Sequence, residues 1–292
     1  MIDAVRSGLS ISQIVGRLEP PTRPVRAVLD TDTYNEIDDQ FALVYSLLSP
    51  EILLEAVYAA PFWNARSSGP AEGMELSFRE IERLLALVSE KGVPVGARSF
   101  RGSAAYMASA KRPVESGAAS DLVERAMRQS ADKGSAVEGG DPLYVLTIGA
   151  PTNVASAILL EPGIARRIVV VWLGGHPPYW HTASEFNLKQ DIHAARILLD
   201  SGVPLVLVPC KNVAEHLRVT APELDHHLGG RGPLAEYLRG ITVSHMAEHG
   251  SLSKAVWDIA VPAWPTTWTA TKFSVTSTQP SERDDAGKGF CP

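Results

Sequence analysis

The sequence has little of what marks a disulfide-stabilised, nucleic-acid-binding or membrane protein. Only two cysteines occur in 292 residues, Cys210 and Cys291, and neither stands in a CxxC or Cys/His spacing. This absence argues against a disulfide framework and a structural zinc site, and it predicts a reducing, cytoplasmic location. The net charge is −6 and no run of Lys and Arg occurs, so we expect neither a nucleic-acid polymer nor a membrane as a partner.

Several common signatures are also missing. No GxGxxG, Walker A, GxSxG or HExxH segment occurs, which removes the commonest grounds for predicting a dinucleotide site, an NTP site, a serine hydrolase or a zinc protease. No apolar core of signal-peptide length precedes Val25, and no segment approaches the roughly 18 apolar residues of a membrane helix. We therefore expect a protein that is neither secreted nor membrane-anchored.

From Val25 onward, short β-branched runs alternate with helical runs. Strands are predicted at 25–30, 52–60, 93–99, 143–149, 168–175 and 203–209. Helices are predicted at 38–50, 77–91, 119–131, 152–160 and 191–200. This order predicts an α/β fold with a mainly parallel central sheet flanked by helices, in which ligands bind at the carboxyl ends of the strands.

The two ends of the chain differ from this pattern. An amphipathic stretch ended by Pro20 and Pro21 predicts a short helix that docks on the core, within an N-terminal arm of residues 1–24. The α/β domain is then expected at 25–264. Residues 265–292 lose periodicity and end polar and Gly/Pro-rich, which predicts an atypical tail that is loose or disordered.

The most informative segment is VLDTDTYNEIDDQFAL, at the end of the first predicted strand. Asp30, Asp32, Glu36, Asp38 and Asp39 fall within ten residues there. Carboxylates packed this closely in a cleft repel one another, so we expect a cation to hold them. An all-oxygen set without His or Cys favours calcium or magnesium over zinc. The structural alternative is that Asp38 caps the next helix while Asp30 and Asp32 form hydrogen bonds in a turn.

This segment resembles the N-terminal DxDxxxDD signature of nucleoside hydrolases, with an interval between Asp32 and Asp38 that is two residues longer than usual. Three later segments resemble further blocks of the same family in the same order: LTIGAPTNVASAILLEP (146–162), ASEFNLKQDIHAARILLDSGVPLVLVP (183–209) and KAVWDIAVPAW (254–264). The resemblance implies a Rossmann-like nucleoside hydrolase fold. It also implies an N-ribosyl hydrolase that serves nucleoside salvage.

Carried over to this chain, the resemblance implies that Asp32, Asp39 and Asp258 ligate one calcium ion, together with the main-chain carbonyl of Ile148. Asp32 would also be the general base for a calcium-activated water. N-glycosidic cleavage passes through an oxocarbenium-like state, which nearby carboxylates stabilise. The expected products are ribose and a free base.

By the same resemblance, Asp38, Glu185 and Asn187 would hydrogen-bond the ribose hydroxyls. Asp30 would support the cluster from behind. The structural alternative for the EFN segment is a loop with a helix cap, in which Asn187 bonds its own turn and Glu185 faces solvent.

One departure from the family bears on the leaving group. Trp257 precedes Asp258, where several family members carry a His that recognises the base or protonates the leaving group. The general acid is therefore unassigned. Its candidates are four histidines: His176, His181, His193 and His216. His181 lies nearest the EFN segment and is the one we predict to contact the substrate.

A second departure is the loop after the second predicted strand, which has the sequence APFWNARS. Phe62, Trp63 and Asn64 are predicted to line the pocket, where an aromatic ring can stack on a base. Core packing of the aromatic side chains is the alternative.

Two other functions stay open at this point. DTDTY after a strand resembles the DxDx(T/V) motif of haloacid-dehalogenase-type phosphatases, with Tyr34 in place of the usual Thr or Val. A calcium-stabilised ligand-binding protein without activity would fit the loss of the acid at position 257. We expect a small-molecule nucleoside or N-riboside as the partner, and the sequence leaves a homodimer or a homotetramer open.

Overall fold

The computed structural model describes residues 7–128 and 141–266. The strands in these ranges are β1 Val25–Thr31, β2 Ile52–Ala59, β3 Arg98–Arg101, β4 Leu143–Thr147, β5 Ile168–Leu173, β6 Leu205–Val208, β7 Arg218–Thr220 and β8 Ser253–Ala255. The helices are α1 Ile11–Arg17, α2 Asp39–Leu48, α3 Pro70–Glu90, α4 Gly117–Met127, α5 Thr152–Leu160, α6 Phe186–Gln190, α7 Ile192–Asp200, α8 Ala221–Leu228, α9 Pro233–Glu248 and α10 Ala260–Ala263. Short 3₁₀ turns occur at Pro162–Arg166, Ala214–His216, Trp257–Ile259 and Trp264–Thr266.

Six strands form one parallel sheet in the order β3-β2-β1-β4-β5-β6. The chain builds outward from β1 to β3, returns to place β4 on the other side of β1, and continues to β6. The carboxyl ends of β1 and β4 therefore border the crevice where the strand order reverses, which is where open α/β sheets bind ligands. β7 and β8 form a separate antiparallel ribbon. The predicted α/β class with a mainly parallel sheet is confirmed.

The sheet is covered on both faces because alternate side chains of its strands pack into two apolar clusters. Leu29 and Leu146 belong to one cluster, and their chain neighbours Val28 and Val145 belong to the other. Every residue of β4 and β5 is buried, as expected for parallel strands between two helical layers. Burying one Leu or Val side chain stabilises a fold by roughly 1.5–3 kcal/mol. The packed sheet therefore holds the residues at the ends of its strands in fixed positions.

Three local predictions differ from the structure. α3 begins at Pro70 rather than at residue 77, because proline fits the first helical turn, where an N–H has no intrahelical partner. The strand predicted at 93–99 is displaced to β3, which pairs with Ala56–Ala59 of β2. The sequence pattern also does not predict α6, which has only five residues.

The terminal segments are described only in part. Within the predicted arm at 1–24, α1 forms the expected short helix, and the guanidinium of Arg17 donates to the carbonyl of Arg166. From residue 267 onward the predicted tail at 265–292 lies outside the described residues. No helix among residues 7–128 and 141–266 is both long and apolar enough to cross a membrane.

Candidate active site

Residues from three distant parts of the chain meet at the carboxyl ends of β1 and β4. Asp32 directly follows β1, and Ile148 directly follows β4. Asp38 and Asp39 begin α2, and Asp258 lies in the 3₁₀ turn after β8. Because β1 and β4 are parallel neighbours, their ends bring Asp32 and Ile148 to the same crevice.

Four carboxylates form a buried cluster in this crevice. Oxygens of Asp38, Asp39 and Asp258 all lie within 4.8 Å of one another. Both oxygens of Asp32 are buried, and neither has a hydrogen-bond partner among residues 7–128 and 141–266. The charge of Asp39 acts directly on Asp32. Buried like charges at this spacing need either protons or a cation to be stable.

Gly149 allows the end of β4 to approach Asp32 closely. A Cβ atom at position 149 would lie 3.0 Å from Oδ1 of Asp32 and 3.2 Å from Cβ of Ala60. Since both distances are shorter than ordinary van der Waals contact, a side chain at position 149 would push on the carboxylate.

Burial raises the pKa of every carboxyl in the cluster. It raises the pKa of Asp39 to about 7, with the charge of Asp38 as the next cause. Burial is also the largest cause of the raised pKa of Asp32, followed by the charge of Asp39, and of the raised pKa of Asp258, followed by the charge of Asp38. The pKa of Asp38 is raised by burial too, although the ammonium of Lys254 opposes this rise. Without a cation, the cluster retains protons that surface aspartates lose near pH 4.

Lys254 is a basic residue beside the cluster that sequence reasoning missed. Its side chain is only 6% exposed, its Nζ lies 3.5 Å from Oδ1 of Asp38, and it forms a salt bridge with Glu36. The same ammonium lies 3.9 Å from the ring centroid of Trp257, a cation–π contact. Lys254 is close in sequence to Asp258, four residues before it in KAVWD. Its partner Glu36 is 218 positions away, so the sequence pattern gives no sign of this contact.

The structural alternative for Asp38 is wrong. Asp38 occupies the N-cap position of α2, but its side chain makes no capping hydrogen bond. Its Oδ2 instead accepts a hydrogen bond of 3.4 Å from the main-chain N–H of Asp258. The longer interval between Asp32 and Asp38 also has a visible consequence, because it contributes Asn35 and Glu36 to the wall of the cavity.

The EFN segment combines a helix cap with a cavity wall. The carboxylate of Glu185 caps α6 and accepts three main-chain N–H bonds of 2.8–3.0 Å. Glu185 is buried, so the expectation that a capping glutamate would face solvent is wrong. The side-chain amide of Asn187 donates to the carbonyls of Ile148 (2.9 Å) and Leu173 (3.0 Å). Asn187 thereby fixes the Ile148 carbonyl.

Asp30 lies behind the cluster. Its Oδ1 accepts a hydrogen bond of 2.8 Å from the amide of Asn153, which also donates to the carbonyl of Ala59 and accepts from the main-chain N–H of Ser103. Burial raises the pKa of Asp30 to about 7, although the bond from Asn153 opposes the rise. Asn153 thus ties the end of β1 to α5 and to the chain after β3.

The acid cluster opens into a cavity of about 490 Å³, within the range of about 300–1,000 Å³ that is usual for small-molecule sites. Eight predicted site residues line it: Asp38, Asp39, Asn64, Ile148, Glu185, Asn187, Trp257 and Asp258. Asp30 and Asp32 are buried and are not among its lining residues. The geometry therefore brings most of the predicted residues together around one cavity.

The histidines are distributed differently from the sequence expectation. Of the four candidates only His176 lines the cavity, whereas His181 is exposed and lies outside its lining. His245 and His249, which sequence reasoning missed, also line the cavity, and their stacked rings have centroids 4.1 Å apart. Burial, followed by the charge of Lys254, lowers the pKa of His245. The prediction for His181 rests on sequence proximity alone.

The loop after β2 contributes an amide rather than an aromatic ring. Phe62 is fully buried in the core and does not line the cavity, so its predicted contact with substrate is corrected to core packing. Trp63 is exposed. Asn64 lines the cavity and is held by a 2.6 Å hydrogen bond to the side chain of Asn35 and by another from the main-chain N–H of Arg66.

The donor set suits a hard cation. The groups that converge are carboxylates and one main-chain carbonyl, all of which are oxygen ligands of the kind that calcium and magnesium prefer. The two unpartnered oxygens of Asp32 and the mutual repulsion of Asp38, Asp39 and Asp258 give such a cation a physical role. The nearby salt bridges of Lys254 compensate only part of the negative charge.

Comparisons with known proteins agree with this geometry. Residues 27–283 match the family of inosine-uridine preferring nucleoside hydrolases. The pyrimidine-specific ribonucleoside hydrolase RihA of Salmonella paratyphi A is 24% identical over 252 residues, which are 78% of this chain and 75% of RihA.

Two solved structures show the same fold. An inosine-guanosine nucleoside hydrolase superposes with a TM-score of 0.62 at 16% identity, over 84% of this chain and 79% of its own. The inosine-uridine preferring nucleoside hydrolase from Bacillus anthracis superposes with a TM-score of 0.53 at 17% identity, over 85% and 82% of the two chains.

Proposed function

The chain belongs to the inosine-uridine preferring nucleoside hydrolase family, and from this premise we propose that it hydrolyses the N-glycosidic bond of a ribonucleoside or a related N-riboside with a calcium-activated water. The observation that carries the proposal is the buried cluster of Asp32, Asp38, Asp39 and Asp258 at the floor of a ligand-sized cavity. The products are ribose and a free base.

Asp32, Asp39, Asp258 and the carbonyl of Ile148 are the proposed calcium ligands. When bound, a hard cation neutralises the carboxylates and lowers the pKa of a water molecule beside them. Asp38 has an oxygen within 4.8 Å of oxygens of Asp39 and Asp258, and its charge is partly balanced by Lys254 at 3.5 Å. This pairing supports a division in which Asp38 serves the sugar rather than the ion.

Asp32 is the proposed general base. It is buried next to Asp39, and both of its oxygens are unpartnered among the described residues, so it has free lone pairs to accept a proton from an attacking water. The surrounding carboxylates stabilise the positive charge that develops on the ribosyl ring. Asn187 and Asp38 line the cavity, and we propose that the Oδ1 of Asn187 and the carboxylate of Asp38 accept hydrogen bonds from sugar hydroxyls.

The site has no obvious acid at position 257 to protonate the leaving group. The indole of Trp257 has one N–H donor and no titratable proton near neutral pH. Three histidines line the same cavity: His176, His245 and His249. We propose these three, rather than His181, as candidates for the general acid. We propose accordingly that good leaving groups are cleaved fastest.

The rival functions have less support. A phosphatase of the haloacid-dehalogenase type would use Asp30, the first aspartate of DTDTY, as its nucleophile, but Asp30 is fully buried behind the cluster and bonded to Asn153. The family match over residues 27–283 favours the hydrolase. A binding protein without activity would keep the same cation and cavity, so assay separates it from the hydrolase.

The test is to measure ribose released from inosine, guanosine, uridine and a nitrophenyl riboside, with EGTA and after adding back calcium or magnesium. We expect release from at least one compound, its loss with EGTA and its recovery with calcium. Calcium binding without any release of ribose identifies a binding protein, and release of phosphate from nitrophenyl phosphate identifies a phosphatase.

Two further properties stay proposals. The half-buried thiol of Cys210, which lines the cavity, is compatible with the reducing cytoplasm that we propose as the compartment. We also propose a homodimer or homotetramer, which sedimentation of the purified chain tests directly.

A further inference from the structure

A second cavity lies at the opposite edge of the sheet from the acid cluster. Its volume is about 350 Å³, at the lower end of the range of about 300–1,000 Å³ for small-molecule sites. Arg26 lies at the amino end of β1, Leu143 begins β4, and Arg166 and Arg167 directly precede β5. α1 contributes the opposite wall through Arg17 and Gln13. We call this space the arginine cavity.

Positive side chains outnumber negative ones among the described residues that line the arginine cavity. Five guanidinium side chains line it: Arg17, Arg26, Arg128, Arg166 and Arg167. Among the described residues of the lining, Asp141 is the only acid, and it forms a salt bridge with Arg23 outside the lining. Among the described residues, no lysine lines the cavity, and guanidinium groups are the side chains best suited to bind oxyanions through paired N–H donors.

Two of the five arginines are already paired with carboxylates of this chain. Arg26 forms a salt bridge with Glu55, and Arg128 forms one with Glu124 at 2.8 Å. Within residues 7–128 and 141–266, the guanidinium of Arg17 donates to the main-chain carbonyl of Arg166 and forms no salt bridge. The remaining arginines therefore carry the capacity for a ligand.

Arg166 and Arg167 have no ion pair with any residue in 7–128 or 141–266, and the Nε of Arg167 is buried without a hydrogen-bond partner there. Such a buried donor loses its hydration without compensation unless a ligand supplies an acceptor. Burial also lowers the pKa of Arg17, although the charge of Tyr144 opposes this change, because burial disfavours the charged form of a cation.

We propose that the arginine cavity binds a small phosphate-bearing molecule. A phosphate group carries up to two negative charges and several oxygens, so one group can bond the guanidinium groups of Arg17, Arg166 and Arg167 together. The cavity also has a small apolar wall formed by Leu9, Ala126 and Leu143. That wall suits an organic substituent on the phosphate, and it distinguishes a phosphate ester from inorganic phosphate.

The experiment is calorimetric titration of the full chain with inorganic phosphate and with phenyl phosphate, at constant ionic strength and with EGTA present. The chelator removes any cation from the acid cluster, so binding there does not confuse the result. The test variant is Arg17→Gln combined with Arg167→Gln. The matched control is Arg79→Gln combined with Arg239→Gln, which removes two charges from α3 and α9, and neither residue lines the cavity.

We expect saturable binding of both probes, with phenyl phosphate binding more tightly because of the apolar wall. The test variant should bind at least about tenfold more weakly, since hydrogen bonds to charged groups contribute about that much or more. The control should bind like the parent. Arg167→Lys, which keeps the charge but loses the paired donors, should give an intermediate affinity and shows that a loss in the test variant does not arise from misfolding.

Three results would overturn the proposal: no saturable binding to the parent, unchanged binding in the test variant, or an equal loss in the control. The proposal is independent of the hydrolase activity, because the readout is binding in the absence of calcium. Ribose release by the test variant should equal that of the parent, since the cavity lies at the other edge of the sheet.

Discussion

The two edges of the same parallel sheet carry opposite charges. The carboxyl edge gathers Asp32, Asp38, Asp39 and Asp258, whereas the amino edge gathers the arginines of the second cavity. The whole-chain net charge of −6 reveals neither field. Parallel strands align all their carboxyl ends at one edge of the sheet and all their amino ends at the other. Charged side chains that are far apart in sequence therefore come together and produce a negative electrostatic potential at one edge and a positive potential at the other.

The two edges also differ in burial, and this difference orders the effects that we expect. At the carboxyl edge the charged groups themselves are buried. Charge–charge interactions are stronger in a medium of low dielectric, so removing one of these charges has a large effect. At the amino edge two of five guanidinium groups already have partners, and Arg128 and Arg166 are exposed to water. Substitutions at the acid cluster should therefore have the larger consequences.

The largest expected effect is on catalysis by Asp32→Asn. The variant keeps the shape of the side chain but removes the proposed base, so kcat should fall by about two to four orders of magnitude. Ribose release measured at saturating nucleoside checks this, and circular dichroism checks the fold. Asp225→Asn on the surface of α8 is the matched control and should retain full activity. Unchanged turnover in folded Asp32→Asn would remove Asp32 from the mechanism.

The next effect concerns cation affinity. Asp39→Asn and Asp258→Asn each remove one charged ligand from the cluster, and we expect calcium to bind at least about tenfold more weakly, as it does when supporting groups of metal sites are lost. Because a ligand that binds only the folded state stabilises it, the rise in Tm on adding calcium should shrink in both variants. Calorimetric titration measures the affinity. A parent protein that binds neither calcium nor magnesium would contradict the assignment of the whole cluster.

The acid cluster should also make stability depend on pH when calcium is absent. Asp30 and Asp39 have pKa values of about 7 in the folded chain and about 4 when unfolded. Between about pH 4 and pH 7 the folded state holds more protons than the unfolded state. The folded state is therefore most favoured below about pH 4, where these carboxyls are protonated in both states, and its free energy of unfolding falls as the pH rises towards 7. The slope is up to about 1.4 kcal/mol per pH unit for each carboxyl.

Calcium should reverse this trend, because the ion favours the ionised carboxylates and its affinity rises with pH. Tm measured in EGTA and in excess calcium should therefore diverge from pH 5 to pH 8. The difference between the two curves isolates the cluster from groups elsewhere that titrate in both conditions. Parallel curves would show that the cluster does not bind the ion.

Much of this arrangement follows from local sequence. α5 occupies the predicted residues 152–160, and β1 differs from its prediction by one residue, because buried strands and apolar helices have strong periodic patterns. The start of α3 and the position of β3 depend on how a Pro/Gly-rich stretch packs, which periodicity does not encode. Asp32, Asp38 and Asp39 are recognisable because they stand together after a strand.

The parts that sequence reasoning missed are made by contacts across long separations. Lys254, in β8, reaches Glu36 across 218 positions of the chain. His245 and His249 reach the cavity through the path of α9. The five arginines of the second cavity are spread from residue 17 to residue 167, so a search for a local basic run does not find them.

A smaller effect is expected at Lys254. Its ammonium, 3.5 Å from Asp38, competes with any cation for the charge of the cluster. Lys254→Met should therefore tighten calcium binding by roughly threefold to tenfold, since the repulsion between two partly screened cations is removed. Lys254→Arg keeps the charge and should keep the parent affinity. Weaker calcium binding in Lys254→Met would mean that Lys254 serves mainly to hold Asp38 and Trp257 in place.

An effect of similar size is expected at Trp257. An indole cannot protonate a departing base near neutral pH, whereas an imidazole can, so the parent should cleave a nitrophenyl riboside, an O-glycoside with a good leaving group, much faster than inosine or uridine. Trp257→His should raise the rate on inosine by roughly threefold to tenfold, short of the 10²–10⁴ of an optimally placed acid, and leave the probe unaffected. Rates for the three compounds in parent, Trp257→His and His176→Asn measure this. Fast inosine cleavage by the parent that His176→Asn abolishes would place the acid at His176 instead and make Trp257 a packing partner of Lys254.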